Sequence, residues 1–186
     1  MKVIKTNIDG LLIIEPEVFG DERGYFYEMY QAERYKSLGI LENFIQDNRS
    51  SSSRGVLRGL HFQKTKSQGK LVTVTSGEVF DVAVDLRPNS ETFGKHCTVL
   101  LTAENKRQFY IPPGFAHGFC VLSEKADFQY KCTDYYDPSD ESGIIWNDCE
   151  LGIEWPISYP ILSQKDLCQP KFSDIKEMLL NTKRDK

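Results

Sequence analysis

The sequence has 186 residues, of which 40% are hydrophobic and 27% are charged, and its formal net charge is −4. This length and composition are typical of one ordinary globular domain, and we expect residues 1–186 to form it. A net negative charge argues against a nucleic-acid or anionic-membrane partner, although a few local Arg and Lys side chains would suffice to bind a phosphate.

The first third of the chain contains short apolar and aromatic runs that are broken by Gly and Pro. Residues 11–16 are an apolar run that ends at Pro16, which predicts an early strand. Residues 18–29 predict a Gly-containing turn that leads into an aromatic strand, and residues 32–38 predict a short helix. Residues 44–50 indicate the polar end of a strand, followed by a Ser-rich loop.

Residues 54–63 alternate in a way that predicts a strand. Successive side chains of a strand point to opposite faces, so we expect His61 and Gln63 on one face and Arg58 on the other. Lys70 follows after a short loop and places a cation near the imidazole. A base beside a cation suits proton abstraction next to a carbonyl, because lysine can stabilise the negative charge left on oxygen. Taken alone, such a pair is more typical of a half-buried strand with a solvated lysine.

The middle of the chain is its most regular part. Residues 71–76 and 79–86 flank Gly77 and Glu78, which predicts a β-hairpin. The second of these strands is apolar almost throughout, as in strands that are buried on both faces. Further short strands are predicted at roughly ten-residue spacing, at 97–102, 109–111, 118–122 and 128–133.

Helical periodicity is convincing only in residues 173–180, where Ser173 can serve as the N-cap. Many short strands at even spacing indicate a mainly β sandwich, jelly roll or barrel with a few short peripheral helices. We expect a ligand to lie between the sheets or in the mouth of the barrel.

The N-terminal segment lacks the apolar run of a signal peptide, and no segment approaches the length of a transmembrane helix. The cysteines are odd in number and scattered without a Cys-x-x-Cys pair, which argues against a disulfide framework or a zinc knuckle. We therefore expect a cytoplasmic protein whose thiols stay reduced. The five cysteines are Cys97, Cys120, Cys132, Cys149 and Cys168.

Two motifs resemble those of the cupins, which are small double-stranded β-helix barrels. Pro112-x-Gly-x-x-His117 is similar to the second cupin motif, and Gly55-x5-His61-x-Gln63 is similar to the first with its second His replaced by Gln. The chain has only three histidines and no carboxylate where the cupin metal site needs one. We therefore predict a cupin-like jelly roll that binds no metal.

A longer series of blocks resembles one cupin family, the dTDP-4-dehydrorhamnose 3,5-epimerases. The resemblance extends from about Leu11 to Asp166 and rests on many ordered blocks at compatible spacing. The blocks are residues 18–24, 46–48, 56–63, 77–85, 103–108, 111–119, 130–133, 144–148, 152–156 and 162–166.

The resemblance implies a reaction and a catalytic set. The family substrate is dTDP-4-dehydro-6-deoxy-D-glucose, whose C4 carbonyl acidifies the hydrogens on C3 and C5. His61 matches the catalytic base and Asp166 the carboxylate that orients it. Lys70 matches the lysine that stabilises the enolate, and Tyr130 matches the acid that returns a proton from the opposite face of the sugar. No cofactor is implied.

The resemblance also implies a nucleotide-binding set and a homodimer in which an N-terminal strand joins the partner's sheet and completes its site. In the family an aromatic side chain stacks on thymine; Tyr136 has the same strand parity as Tyr130, but the adjacent Tyr135 competes for this role. The residues matched by position to the nucleotide are Arg23, Glu28, Gln46, Asn48, Arg58, His117, Tyr136, Glu141 and Lys165.

Alternatives remain open at this point. A related enzyme could epimerise C3 or C5 alone, or act on another nucleotide-linked 4-keto sugar. A metal-dependent cupin oxygenase or isomerase and a non-catalytic sugar-binding sandwich belong to other functional classes. Taken singly, Asp166 is more typical of a helix start or a surface carboxylate, and His117 of a structural histidine. Tyr130 alone fits a core position about as well as a catalytic one.

Overall fold

The computed structural model describes residues 1–181, which contain thirteen strands and three helices. The helices are α1 (Ala32–Ser37), α2 (Gln164–Leu167) and α3 (Phe172–Asn181). The strands are β1 (Lys2–Lys5), β2 (Leu12–Glu15), β3 (Val18–Asp21), β4 (Gly24–Tyr27), β5 (Gln46–Ser53), β6 (Leu57–Gln63), β7 (Lys70–Ser76), β8 (Glu78–Asp85), β9 (His96–Thr102), β10 (Gln108–Ile111), β11 (Phe115–Val121), β12 (Lys125–Cys132) and β13 (Glu141–Gly143).

Two large antiparallel sheets form the body of the fold. One has six strands in the order β1-β2-β10-β7-β12-β5, and the other has five in the order β13-β6-β11-β8-β9. Strands β3 and β4 form a separate two-stranded hairpin. Side chains from both large sheets share one buried cluster, in which Phe109 and Phe128 from the first sheet meet Phe119 from the second. The prediction of a mainly β fold with a few short helices is confirmed.

A second buried cluster covers the outer face of the five-stranded sheet. Phe172, Ile175 and Leu179 of α3 pack there against Val82 and Val84 of β8. Strand β8 is therefore buried on both faces, as its apolar sequence predicted. Within residues 1–181, no helix is long and apolar enough to cross a membrane.

The predicted hairpin between residues 71–76 and 79–86 is wrong. Strand β7 pairs with β10 and β12, whereas β8 pairs with β9 and β11, so the two strands belong to different sheets. Gly77 lies between them with φ +77°, and a Cβ on it would approach the carbonyl oxygen of Lys125 to 2.1 Å. This glycine turns the chain from one sheet to the other, not back along the same sheet.

Two further local predictions need correction, and one helix was missed. The Ser-rich segment expected to be a loop is the second half of β5, which pairs with β12 through all eight of its residues. The short helix α2 was not predicted. Ser173 is not a cap but the second residue of α3, where the carboxylate of Asp174 accepts a hydrogen bond from the backbone nitrogen of Lys171 at 3.1 Å.

A β-bulge in β6 overturns the expectation that Arg58 and His61 lie on opposite faces. His61 pairs with His117 and Arg58 pairs with Phe119, so three steps along β6 match two along β11. The extra residue shifts the alternation by one position. Both side chains consequently line the same cleft. Simple strand parity could not have predicted this arrangement.

Gly59 lies in the bulge with φ +121°, and a Cβ there would lie 2.5 Å from the Cα atom of Gly118. We expect Gly59→Ala to lower the free energy of unfolding by about 3 kcal/mol or more, because backbone strain adds to a clash with backbone atoms. Gly24 has a similar φ of +129° but no atom within 4 Å of its Cβ position. Gly24→Ala is the matched control, with an expected loss of about 1 kcal/mol. Equal losses in urea unfolding would contradict the role of the clash.

Candidate active site

The candidate site is a cleft between the two large sheets. It consists of two adjoining recesses, of about 300 Å³ and about 80 Å³, and His61, Lys70 and Tyr130 line both of them. His61 comes from the five-stranded sheet, whereas Lys70 and Tyr130 come from the six-stranded sheet. The three side chains predicted to act on the sugar therefore meet at one place, approached from both sides of the cleft.

His61 is paired with Asp166 in the described structure. Its Nε2 atom lies 2.6 Å from Oδ1 of Asp166. Asp166 is the third residue of α2, and its backbone nitrogen donates to the hydroxyl of Ser163 while its Oδ2 accepts from that hydroxyl at 2.6 Å. The reading of Asp166 as a helix-start residue and its predicted pairing with His61 are thus both confirmed. The Ser-x-x-Asp pattern was the sequence signal for this short helix.

The ionisation state of Asp166 follows from its contacts. Its side chain is buried, and burial alone would raise the pKa of the carboxyl. Hydrogen bonds with His61, Ser163 and the backbone of Gly59 outweigh burial and lower the pKa below its usual value. Asp166 is therefore a carboxylate at neutral pH, and it accepts a hydrogen bond from a protonated Nε2 of His61. In a neutral imidazole this leaves the lone pair on Nδ1 of His61.

Nδ1 of His61 faces a second carboxylate, since it lies 4.0 Å from Oε1 of Glu141. Glu141 forms an ion pair with Lys165 and accepts a hydrogen bond of 2.6 Å from the hydroxyl of Tyr136. Burial would raise the pKa of Glu141, but these two partners outweigh it and lower the pKa. Three residues predicted to bind the nucleotide thus form one linked group beside the candidate base.

Lys70 is the first residue of β7, and its ammonium forms no hydrogen bond or ion pair with any other of residues 1–181. Its Nζ atom lies 6.0 Å from the centroid of the Tyr130 ring. Burial lowers the pKa of Lys70, while Cys132, Asp81 and Glu141 oppose that shift. A cation that is desolvated and unpaired is well suited to bind an oxyanion.

Tyr130 projects into the same cleft from β12. Its ring packs against the shared core, but its hydroxyl has no hydrogen-bond partner within the described part of the chain, so the backbone bond expected of a core tyrosine is not formed. Burial raises the pKa of Tyr130, and Arg58 is the only contributor that lowers it. The phenol therefore keeps its proton at neutral pH and is available as a donor.

His117 lines the larger recess and is buried, with 7% of its surface exposed. Its Nε2 lies 3.0 Å from both carboxylate oxygens of Asp81, and its ring stacks on Phe128 with centroids 5.9 Å apart. Burial lowers the pKa of His117, and Asp81 opposes that shift. Sequence reasoning missed Asp81. The signal was an acidic residue inside the otherwise apolar β8, since a buried carboxylate needs a partner.

Five of the nine predicted nucleotide-binding residues line one of the two recesses, namely Arg58, His117 and Lys165 in the larger and Tyr136 and Glu141 in the smaller. Arg58 donates two hydrogen bonds to the hydroxyl of Ser52, at 3.2 and 3.1 Å. Gln46 accepts a hydrogen bond from the backbone nitrogen of Tyr136 and donates one to the side-chain oxygen of Asn48. Both tyrosines are exposed, Tyr136 to 48% and Tyr135 to 65%, but only Tyr136 is among the residues that line the smaller recess.

Arg23 and Glu28 do not lie in this cleft within one chain. Arg23 sits at the tip of the β3–β4 hairpin, where it binds Asp21 and its side chain is 90% exposed. Glu28 pairs with Arg34 of α1 at 3.3 Å. The hairpin also exposes aromatic side chains, including Phe19 and Phe26.

Gln63 stands where cupins carry a second metal-binding His, and its side chain here makes hydrogen bonds to three loop residues. Its amide nitrogen donates to the carbonyl oxygens of Lys66 and Tyr135, and its amide oxygen accepts from the backbone nitrogen of Asp137. It thereby joins the loop after β6 to the loop after β12. Among residues 1–181, no group of three or more His, Cys, Asp and Glu side chains is arranged to hold a metal ion.

Comparison with known proteins agrees with this geometry. The dTDP-4-dehydrorhamnose 3,5-epimerase family profile matches residues 5–174. The enzyme of that name from Salmonella typhimurium is 58% identical over 173 residues, covering 91% of this chain and 94% of its own. The Legionella pneumophila dTDP-6-deoxy-D-glucose-3,5-epimerase, solved with dTDP-4-keto-L-rhamnose, has a TM-score of 0.93 at 56% identity, covering 96% of each chain.

A more distant solved relative has a different specificity. The 3'-monoepimerase from Streptomyces bikiniensis, solved with dTDP-quinovose, has a TM-score of 0.87 at 31% identity and covers 94% of this chain and 90% of its own. The predicted cupin-like fold is confirmed by these structures. The matched profile and the identity over nearly the full length establish that the chain belongs to the dTDP-4-dehydrorhamnose 3,5-epimerase family.

Proposed function

We propose that this protein is an isomerase that epimerises C3 and C5 of dTDP-4-dehydro-6-deoxy-D-glucose and forms dTDP-4-dehydro-L-rhamnose, in dTDP-L-rhamnose biosynthesis. The observation that carries the proposal is the 2.6 Å His61–Asp166 pair, which shares one cleft with an unpaired Lys70 and Tyr130. The similarity to the Salmonella and Legionella enzymes supports the choice of substrate and of both carbons.

The first half of the reaction is proton removal. Nδ1 of His61 takes a proton from the carbon beside the C4 carbonyl, and the electron pair of the broken C–H bond moves onto the carbonyl oxygen. The ammonium of Lys70 stabilises the resulting enolate oxygen, and the Asp166 carboxylate stabilises the imidazolium. No electrons leave the substrate, so this chemistry requires neither a redox cofactor nor a metal.

The second half returns a proton to the opposite face of the planar enolate. Tyr130 supplies it from the six-stranded sheet, across the cleft from His61 in the five-stranded sheet. The phenolate that forms is reprotonated from water, and the His61 proton leaves to solvent, so protons balance over a turnover. Inversion at a carbon requires base and acid on opposite faces of the enolate, and their positions on the two sheets that flank the cleft provide for this.

We infer that the nucleotide occupies the rim of the cleft. Arg58 and Lys165 supply positive charge for the diphosphate, Arg through its forked donors. Gln46 and Asn48 bind polar groups of the nucleoside, and His117 and Glu141 complete the contacts. Tyr136 stacks on thymine in preference to Tyr135, because its side chain lines the recess next to His61.

We propose that the active form is a homodimer in which the partner completes each site. Arg23 and Glu28 lie outside the cleft of their own chain. The β3–β4 hairpin, which carries Arg23 at its tip and is followed by Glu28, exposes aromatic surface that a partner would bury. Strand β1 is at an edge of the six-stranded sheet and is open to pairing. We also infer that each chain is a single domain, and the core shared by its two sheets supports this.

Mixed dimers test this sharing. Arg23→Ala and His61→Ala variants, each of low activity, are expected to recover about one quarter of wild-type turnover when they are mixed at equal ratio, because half of the dimers are mixed and each has one intact site. A mixture of His61→Ala with Asp166→Asn is the control, since these residues act within one chain and mixing restores no site. Equal recovery in both mixtures, or none in the first, would overturn the shared site.

Tyr130→Phe tests the role of the acid. We expect net epimerisation to fall about 10²-fold while exchange of the substrate proton with deuterium from solvent falls much less, because abstraction by His61 is retained. Exchange and epimerisation are measured in the same sample, by NMR and by trapping the product with an NADPH-dependent reductase. Equal loss of both rates would contradict the role of Tyr130 as acid.

The function itself is tested by incubating the protein with dTDP-4-dehydro-6-deoxy-D-glucose in D2O without added metal. Deuterium incorporation at both C3 and C5 is the expected result. Incorporation at one carbon would instead identify a monoepimerase, such as the Streptomyces relative. Binding of dTDP without exchange would favour another sugar nucleotide or a binding protein, and activity that depends on a bound metal would favour a metal-dependent cupin.

We infer that the protein works in the cytoplasm. All five cysteines are free thiols, and two of them, Cys149 and Cys168, are exposed. Exposed thiols persist in a reducing compartment. Fractionation of cells, with the activity recovered in the cytosolic fraction, is the corresponding measurement.

A further inference from the structure

One buried side chain stands among the candidate site residues without a role in the mechanism. Cys132, at the end of β12, is fully buried, with 0% of its surface exposed. In the sheet it is paired with Gln46 of β5 on one side and Lys70 of β7 on the other. Tyr130, two residues earlier, projects from the same face of the strand. The neighbours of Cys132 are thus residues proposed to bind the nucleotide or to act on the sugar.

The sulfur makes one specific contact. The amide nitrogen of Asn48 donates a hydrogen bond to Sγ of Cys132 at 3.6 Å, and the amide oxygen of Asn48 accepts one from Gln46 at 3.0 Å. Both ends of the Asn48 amide are therefore held, which fixes its orientation. An asparagine amide has two donor hydrogens and an oxygen with two lone pairs, so one donor and one acceptor position remain for a ligand.

The thiol is held in its neutral form. Burial raises the pKa of Cys132, and the nearby Lys70 and Asn48 only partly oppose this. A neutral sulfur can accept from Asn48 without forming a strong ion pair with Lys70. Opposite residues in an antiparallel pair have Cβ atoms about 5 Å apart, so the sulfur also fills the space beside the lysine stem.

We propose that Cys132 is a positioning residue of this site, which holds the Asn48 amide in the orientation that binds the nucleotide. The proposal rests on the function proposed above and adds a residue that the resemblance did not assign a role. It acts through Asn48 and contacts neither the sugar nor the reacting atoms. Its loss is therefore expected to weaken nucleotide binding more than it slows the chemical step.

The test compares Cys132→Ala, Cys132→Ser and Cys120→Ala in the full chain, with the dissociation constant of dTDP measured by calorimetry and kcat measured with the sugar nucleotide. Cys132→Ala is expected to raise the dissociation constant about three- to tenfold, as loss of one neutral hydrogen bond would do, with kcat within about threefold of wild type. Cys132→Ser keeps an acceptor and should bind dTDP within about twofold of wild type. Cys120, also 0% exposed but in β11 with only a 4.0 Å contact to the carbonyl of Val121, is the matched control.

A double-mutant comparison separates positioning from general packing. If Cys132 acts through Asn48, dTDP binds the Asn48→Ala/Cys132→Ala protein no more weakly than it binds Asn48→Ala alone. Additive weakening, or a Ser variant that binds no better than the Ala variant, would overturn the proposal. Calorimetry requires no turnover, so wild-type protein that binds dTDP without exchanging C3 and C5 protons would overturn the proposed function and leave this comparison valid. Wild-type protein that does not bind dTDP would overturn both.

Discussion

His61→Ala is expected to lower proton exchange at both C3 and C5 by about 10³-fold, since a positioned general base contributes that order of rate enhancement. One variant should affect both carbons, because the same atom serves as base for each. Asp166 binds Nε2 of His61, so the lone pair that can accept a proton is on Nδ1. Binding of dTDP is expected to stay within about twofold, because the imidazole faces the sugar and the nucleotide is bound at the rim. Exchange is followed by NMR in D2O and binding by calorimetry.

His96→Ala is the control for this prediction. His96 is a half-buried histidine at the start of β9, outside the lining of the cleft, and we expect its variant to exchange both protons at wild-type rates. Loss of exchange at only one carbon in His61→Ala would show that a second base serves the other. Wild-type exchange at both carbons would remove His61 from the mechanism.

The second large effect is expected for Asp166→Asn, which should lower kcat about 10²-fold, because an amide removes the charge that stabilises the imidazolium and can present a donor to Nε2. Asp166 also closes the first turn of α2 through Ser163. Ser163→Ala separates the two roles, since it removes the cap while keeping the carboxylate on His61. It should cost about 1 kcal/mol in unfolding free energy. The kcat of Ser163→Ala should fall far less than that of Asp166→Asn. Equal losses of kcat would show that Asp166 acts by stabilising α2 and not through its charge on His61.

The same substitution has a consequence for stability in acid. The pKa of Asp166 is lowered in the folded protein, so its stabilising contribution is present above the usual carboxyl range and is lost as pH falls through the lowered value. Asp166→Asn cannot titrate at this position. Its unfolding free energy should therefore decline less steeply than that of wild type as the pH falls below the usual carboxyl range, in acid denaturation followed by circular dichroism.

The mainly β architecture could be predicted because alternating apolar residues and turn-forming residues can be recognised locally, from the sequence alone. Pairing was harder to predict. Residues 71–76 and 79–86 have all the local features of a hairpin, yet the contacts of the core assign them to different sheets. In the same way, the serines of β5 have low strand propensity, and only pairing with β12 makes that segment extended.

The candidate site could be predicted where residues matched a known pattern, and not where tertiary geometry decided. His61, Lys70, Tyr130 and Asp166 meet as the resemblance implied. The bulge at Gly59, which turns Arg58 into the cleft, has no signature beyond a glycine in a strand. The roles of Asp81 and Cys132 could not be predicted, because each depends on a hydrogen-bond partner that is distant in the sequence. These partners are His117 and Asn48.

The position of Asp166 along the chain has a further consequence. Its bond to His61 spans 105 residues and comes from a four-residue helix that follows all thirteen strands. Both sheets can in principle be assembled before residues 163–167 dock onto β6, but the imidazole then lacks its carboxylate. The catalytic pair would thus form only after the strands of both sheets have been synthesised. When refolding of the denatured protein is followed over time, the far-UV circular dichroism of the sheets should return before enzyme activity returns.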